Sequence, residues 1–271
     1  MSSSSLPSPQ LLGSVTSRLR AAGCVFAEDE AQLILDESVT PSDLQRMVRA
    51  RVAGVPLEQI LGWAQFYGLR IAIEPDVFVP RRRTEYLIAR AVDLVRARSR
   101  PVVVLDLCCG SGALGLALAS VVGPIELVAT DVEPAAVRCA RRNVGAIGGT
   151  VFQGDLFEPV PADLRGRIDI LLANAPYVPT DAIALMPSEA RDYEPHVTLD
   201  GGTDGTQVLR RVIAGAATWL APGGHLLVES SAAQAPALTN AIAARGLLPL
   251  VTRSDDFEAT VVIATKADPT D

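Results

Sequence analysis

Apolar positions in the first part of the chain recur at helical spacing. Leu11, Leu12, Val15 and Leu19 fall on one stripe. Ala31, Leu33, Ile34 and Leu35 form a second group behind Glu28, Asp29 and Glu30, acidic residues that suit a helix N-terminus. Pro41-Ser42-Asp43 opens a third helix ending near Gly54, and Pro56 opens a short turn. No strand pattern interrupts residues 8–62, which predicts a small helical domain over residues 1–62 whose first residues, Met1 to Pro9, form a disordered tail.

The pattern changes at Trp63. Trp63, Phe66 and Tyr67, then Leu69, Ile71 and Ile73, flank Gly68 and predict two short strands joined by a turn. This hairpin, with Pro75 and Pro80, makes residues 63–83 a linker. Thr84 is expected to cap a helix running to about Arg98. From Pro101 onward short apolar runs alternate with helical segments. The runs are Val102–Asp106, Ile125–Asp131, Val151-Phe152, Ile168–Leu172, His225–Val228 and Thr260–Ile263. The helices between them are Ala113–Val121, Pro134–Ile147, Thr206–Leu220 and Ala233–Ala244. Buried strands alternating with helices predict an α/β domain over residues 84–271, a mostly parallel sheet with helices on both faces.

Composition narrows the function classes. The 271 residues are 49% apolar, ample for a large core, yet no run reaches the roughly 20 apolar residues of a membrane-spanning helix. The start lacks the pattern of a secretion signal. Cys24, Cys108, Cys109 and Cys139 show no paired metal-ligand spacing, and a reducing cytoplasm suits them. A net charge of −7 leans away from nucleic acid as the main partner, although Arg81, Arg82 and Arg83 form a small basic run.

Four segments carry candidate chemistry. Asp106-Leu-Cys108-Cys109-Gly110-Ser111-Gly112 follows the first strand of the sheet and opens a helix, where glycines let a ligand approach free N–H groups. Asp131, at the end of the next strand and about twenty residues on, is placed to accept both ribose hydroxyls of an adenosine-type ligand. Gly154-Asp155-Leu156, after the third strand, can reach an adenine ring. Asn174-Ala175-Pro176-Tyr177 ends the fourth strand. Pro176 biases Ala175 to extended backbone, so that Asn174 Oδ1 and the Ala175 carbonyl can accept both hydrogens of a planar –NH₂ group while Tyr177 packs against its flat face. An amide or aniline-like nitrogen is a poor nucleophile because its lone pair is delocalised. Two acceptors pulling on its hydrogens favour a tetrahedral nitrogen and stabilise the positive charge that develops on methylation.

On these residues the chain resembles the class I S-adenosyl-L-methionine (AdoMet)-dependent methyltransferases, and within them the HemK/PrmC-type protein N5-glutamine methyltransferases, over roughly residues 45–265. Further segments support the likeness: Gly54-Val-Pro56 through Gly62, Phe66-Tyr-Gly-Leu69, Val79-Pro-Arg81 with Thr84-Glu85, Glu194-Pro195, and Leu199 to Gly205. The resemblance implies a Rossmann-like seven-stranded methyltransferase domain behind the helical domain. It implies AdoMet held by Cys108, Cys109, Gly110, Ser111, Gly112, Asp131, Asp155, Leu156 and Asn174, and catalysis by Asn174, Ala175, Pro176 and Tyr177. The implied acceptor is the glutamine of a Gly-Gly-Gln loop in a peptide chain release factor. The chain departs from the family pattern at Ala175, where a proline is usual, and at Cys108, where a glycine is usual. Arg82 and Arg83 stand where the family has Pro and Glu, and Asp255–Ala259 lacks a usual Gly and Arg.

Two other readings stay open at this point: an N-methyltransferase acting on an exocyclic amine of DNA or RNA, and a non-catalytic AdoMet-binding protein. His196 and His225 lie in unrelated segments and are read as neither metal ligands nor bases. Adjacent Cys108 and Cys109 are read as packing residues rather than a disulfide. Asp255, Asp256 and Glu258 are read as a polar loop before the last strand.

Overall fold

The computed structural model describes residues 8–95 and 100–268. Most of the expected N-terminal tail and the expected end of the helix at Arg98 lie outside these residues. Helix α1 (Pro9–Ala21) starts where the Ser8 side chain accepts the Leu11 N–H and Pro9 supplies a preset φ. Helix α2 (Ala27–Glu37) carries its three acidic residues in the first turn. Thr40 caps α3 (Pro41–Val52) through the Asp43 N–H, and α4 (Leu57–Leu61) ends at left-handed Gly62. These helices share a small core of Val15, Leu19, Ala27, Ala31, Ile34, Met47 and Val48.

Strands β1 (Trp63–Phe66) and β2 (Leu69–Ala72) pair antiparallel, with Tyr67 and Gly68 both at positive φ in the two-residue turn. Phe66 and Ile71 of this hairpin bury fully into the core of the α/β domain. The hairpin therefore packs on that domain as well as joining it to the helices.

The sheet holds β3 (Val102–Leu107), β4 (Ile125–Asp131), β5 (Thr150–Gln153), β6 (Ile168–Ala173), β7 (Leu220–Ser230), β8 (Leu248–Ser254) and β9 (Ala259–Thr265). Its order is β5-β4-β3-β6-β7-β9-β8, parallel except for β9, which runs antiparallel to both neighbours. Alternate residues of one strand serve opposite layers. Val102 and Val104 pack with α5 (Glu85–Val95), α6 (Ala113–Val122) and α7 (Pro134–Val144). Val103, Leu105 and Leu107 pack with α9 (Gln207–Trp219) and α10 (Ala235–Ala243). With both faces covered, the strands need no polar alternation, and this is why they read as unbroken apolar runs.

Four features differ from the sequence-based expectation. Strand β8 was not foreseen. It is an edge strand containing Pro249, with Leu248 and Leu250 more than half exposed, so it shows neither a buried run nor a clear alternation. Strand β7 begins at Leu220 and runs through Pro222-Gly223-Gly224, with a register shift against β6. Thr84 closes a 3₁₀ turn, Arg82–Thr84, ahead of α5, and its fully buried hydroxyl meets Asn174. A further helix, α8 (Ser188–Tyr193), lies in the segment after β6. The strand order reverses between β4 and β6 on either side of β3, which opens a crevice at the carboxyl ends of the strands.

Candidate active site

The turn after β3 bends sharply. Cys108, Gly110 and Gly112 all have positive φ, and the Cys109 N–H donates to the Thr130 carbonyl. Cys108, Cys109, Gly110, Ser111, Asp131, Asp155, Leu156 and Asn174 line one cleft with a cavity of about 290 Å³. Of the residues expected to hold a cofactor, Gly112 alone does not line it. Gly112 faces α7 instead, where an added Cβ would lie 3.0 Å from Val144 Cγ1, so its role is close packing of the turn on that helix.

Asp131 is 8% exposed. Its Oδ2 accepts the Gly110 N–H at 2.8 Å and its Oδ1 accepts the Glu133 N–H at 2.9 Å. Burial pushes this carboxyl up, while those two N–H groups favour its charged form. Each oxygen has room for one further donor, as a ribose diol requires. Asp155 pairs with Arg211 at 2.5 Å across the cleft lip, and the turn beyond it is pinned by Thr130 Oγ1, which donates to the Leu156 carbonyl. Beneath the turn, Asp106 is almost completely buried. Its Oδ2 accepts the Gly115 N–H, and no protein group partners Oδ1.

Phe78, Val132, Val208 and Arg211 complete the cleft wall. None was singled out in the sequence. The one local signal was the polar Asp155, and its partner Arg211 sits on a helix beyond the next strand. The fit for an adenosine-type sulfonium cofactor rests on a diol-ready carboxylate and apolar walls.

Asn174 and Pro176 line this cleft and also a smaller cavity of about 40 Å³ behind it, with Ala175, Tyr177, Phe78, Arg83 and Glu229. Asn174 Nδ2 points to Thr84 Oγ1 at 3.5 Å, which commits the donor end of the amide to the protein and leaves Oδ1 without a protein donor. Among the described residues no N–H reaches the Ala175 carbonyl either. The Tyr177 hydroxyl donates to Glu229 Oε1 at 2.6 Å, and burial raises its pKa well above the ordinary phenol value. Arg83 Nε donates to the same oxygen at 3.1 Å, and the guanidinium lies 5.9 Å from the Tyr177 ring centroid. Residues of the basic run therefore reach this smaller cavity: Arg83 and Arg81 line it.

The segment after Tyr177 is braced from several sides. Gln234 Nε2 donates to the Tyr177 carbonyl at 2.8 Å, Val178 N–H to Leu199, and Gly201 N–H to Val178. Gly205 lies so close that a Cβ there would be 2.3 Å from the Tyr177 oxygen. Glu194 accepts the Val79 N–H and Arg81 Nη2, tying the same segment to the linker. Arg51 of α3 joins Glu30 and Glu189, and the Tyr193 hydroxyl donates to the Ala53 carbonyl, tying it to the helical domain.

Of the two histidines, His225 Nδ1 lies 2.9 Å from Thr265 Oγ1 and His196 lies 3.8 Å from Asp200. Among the described residues, no three His, Cys, Asp or Glu side chains group as a metal site, and no helix is long and apolar enough to cross a membrane.

Residues 88–187 match the family described as "Methyltransferase small domain". The release factor glutamine methyltransferase of Geobacter sulfurreducens is 34% identical over 225 residues, 81% of this chain and 77% of that protein. The 4-amino-L-phenylalanine/4-methylamino-L-phenylalanine methyltransferase of Streptomyces pristinaespiralis is 35% identical over 233 residues, 83% of this chain and 79% of that protein. Among solved structures, the hMettl16 catalytic domain in complex with MAT2A 3'UTR hairpin 6 superposes with a TM-score of 0.58 at 13% identity, covering 89% of this chain and 83% of that one. That likeness is one of fold.

Proposed function

The chain belongs to the release factor glutamine methyltransferase family, and from that premise we propose that it methylates the side-chain amide nitrogen of the Gly-Gly-Gln glutamine in a peptide chain release factor. The cofactor is S-adenosyl-L-methionine, which supplies a methyl group already activated on a sulfonium. Asp131 and the turn from Cys108 to Ser111 hold its nucleoside end, with Asp155 and Leu156 beside the base. The free cysteines and the expected substrate fit action in the cytoplasm.

One observation carries the reading. Asn174 lines both the cofactor cleft and the Tyr177 cavity and Ala175 lines the latter, and among the described residues neither Asn174 Oδ1 nor the Ala175 carbonyl has a donor. A primary amide there gives one hydrogen to each. Its nitrogen is drawn toward tetrahedral geometry and the developing charge is held by two oxygens. Thr84 keeps the Asn174 amide from presenting its –NH₂ end. No protein base is required, because the N-methylated amide cation is a strong acid and loses its proton to water.

The test is methyl transfer from labelled AdoMet to the organism's own release factor, followed by peptide mapping. Asn174→Ala is expected to lower turnover about 100- to 1,000-fold, as loss of one preorganised charge-stabilising group does, with AdoMet affinity retained. Full activity in that variant refutes the assignment. A second reading has specific support: the 35%-identical Streptomyces relative is named for an arylamine amino acid, and an aniline –NH₂ fits the same two acceptors. Labelling of 4-amino-L-phenylalanine but not of release factor would favour it.

A further inference from the structure

We propose that Glu229 docks the acceptor: its open carboxylate oxygen receives an N–H of the acceptor backbone next to the methylated side chain, and Arg83 positions the carboxylate for it. The inference rests on the reading above that the acceptor enters beside Asn174 and Tyr177. Strands β6 and β7 run parallel, with Ala173 beside Val228. Asn174 and Glu229 are the next residues on each, so they reach the carboxyl edge of the sheet side by side.

The Glu229 side chain is 2% exposed. Its Oε1 is fully engaged by the Tyr177 O–H and the Arg83 Nε–H, at 2.6 and 3.1 Å. Its Oε2 is buried with no hydrogen-bond partner. Buried polar atoms nearly always find one, and this oxygen belongs to a residue lining the same small cavity as Asn174, Ala175 and Tyr177. A buried oxygen left unpartnered beside that cavity is completed by a donor that enters it. Arg83 lies on the same carboxylate and largely balances its charge, so the pair suits a neutral amide N–H better than a free cation. Asn174 and Ala175 then hold the reacting nitrogen while Glu229 holds the backbone behind it. Two anchors fix the acceptor's direction as well as its position.

Glu229→Gln in the full chain tests this. Glutamine keeps one oxygen for Tyr177 and Arg83 and turns an –NH₂ toward the incoming N–H. The KM for release factor is expected to rise at least about tenfold, the usual worth of a hydrogen bond to a charged group. Turnover at saturation should stay within about threefold, and AdoMet affinity should be unchanged. An acceptor peptide with an ester in place of the glutamine N–H should lose about tenfold with the wild-type enzyme and nothing further with the variant. A simple structural role moves neither KM nor this coupling. Equal KM values, or an equal ester penalty in both enzymes, overturn the proposal. So does an ester peptide that the wild type accepts as well as the amide, a result that needs no variant. If the wild type labels only 4-amino-L-phenylalanine, the release-factor reading falls. The same comparison is then made between that amino acid and its desamino analogue, and an equal Glu229→Gln effect on both overturns the docking role.

Discussion

Replacing Glu194 by alanine should destabilise the enzyme more than any other single change on the acceptor side, and the structure sets the size of the effect. The side chain is fully buried. One carboxylate oxygen accepts the Val79 N–H at 3.1 Å, and Arg81 Nη2 sits between both oxygens at 2.6 and 2.7 Å. Alanine leaves the Val79 N–H buried without an acceptor and strands Arg81, whose side chain is one-third exposed. Breaking a buried pair in this way costs about 3–5 kcal/mol. Because water still reaches Arg81, the lower end applies, about 3 kcal/mol. At about 2–4 °C per kcal/mol for a chain of this size, Tm falls by roughly 6–12 °C. Glu194→Gln, which keeps one acceptor oxygen, should lose about half as much. Adding Arg81→Met to the alanine variant should recover part of the loss, because no charge is then left unpaired. Calorimetry or thermal melts at one pH and salt concentration measure all three. A Glu194→Ala melting point within about 2 °C of wild type refutes the argument, since it would mean that the carboxylate carries no net stabilisation.

Gly205→Ala puts a Cβ 2.3 Å from the Tyr177 carbonyl at a backbone φ of +70°. The acceptor loop must shift, so turnover is expected to fall on the order of 100-fold while calorimetric AdoMet affinity holds, and an unchanged turnover contradicts the bracing role. Asp131→Ala removes the expected ribose acceptor and should weaken AdoMet binding by about 2–3 kcal/mol, roughly 30- to 150-fold. Titration calorimetry showing less than a threefold change sinks that role. Burial holds the Asp106 carboxyl up to about 7, from an ordinary 3.8. The folded value lies above the unfolded one, so the stability this group contributes is fully present below about pH 4 and is lost as pH rises through about 7. Asp106→Asn should therefore flatten the fall of Tm between pH 4 and pH 7 in the cofactor-free protein, and parallel profiles for the two proteins would show that Asp106 does not titrate there.

Much of the α/β fold is legible because its strands are covered on both faces. Val102–Leu107 and Ile168–Ala173 are buried at every position, which leaves a sequence signal no surface strand gives. Strand β8 shows the converse. At the sheet edge, half solvated and carrying Pro249, it has no pattern of its own and exists because β9 offers it a ladder. The site divides the same way. Cys108–Ser111 and Asn174–Tyr177 act as local runs after a strand, so spacing and residue type point to them. Thr84 precedes an acidic residue and a helix, as a cap does, yet its hydroxyl is taken by Asn174, ninety positions away. Arg83 with Glu229 and Asp155 with Arg211 are likewise pairs made by topology, and no local rule connects them.

The departure at Ala175 bears on how the acceptor loop keeps its shape. Proline in that place would stiffen the chain through its fixed φ, and its loss suggests a looser loop. The group proposed to act at this position is a backbone carbonyl, which alanine supplies equally. Ala175 itself is 1% exposed, so neighbouring side chains already confine it. Immediately beyond it the backbone is held by Gln234 at the Tyr177 carbonyl, by the Val178 N–H donating to Leu199, and by the Gly201 N–H donating to the Val178 carbonyl. Rigidity that proline would provide within one residue is provided here by contacts from two other segments. Arg83 extends the argument. Where an acidic residue is usual in the family it would repel Glu229, whereas the arginine pairs with it and lies over Tyr177. The basic substitution therefore reorganises the wall of the smaller cavity, and leaves untouched the two oxygens to which we assign the acceptor amide.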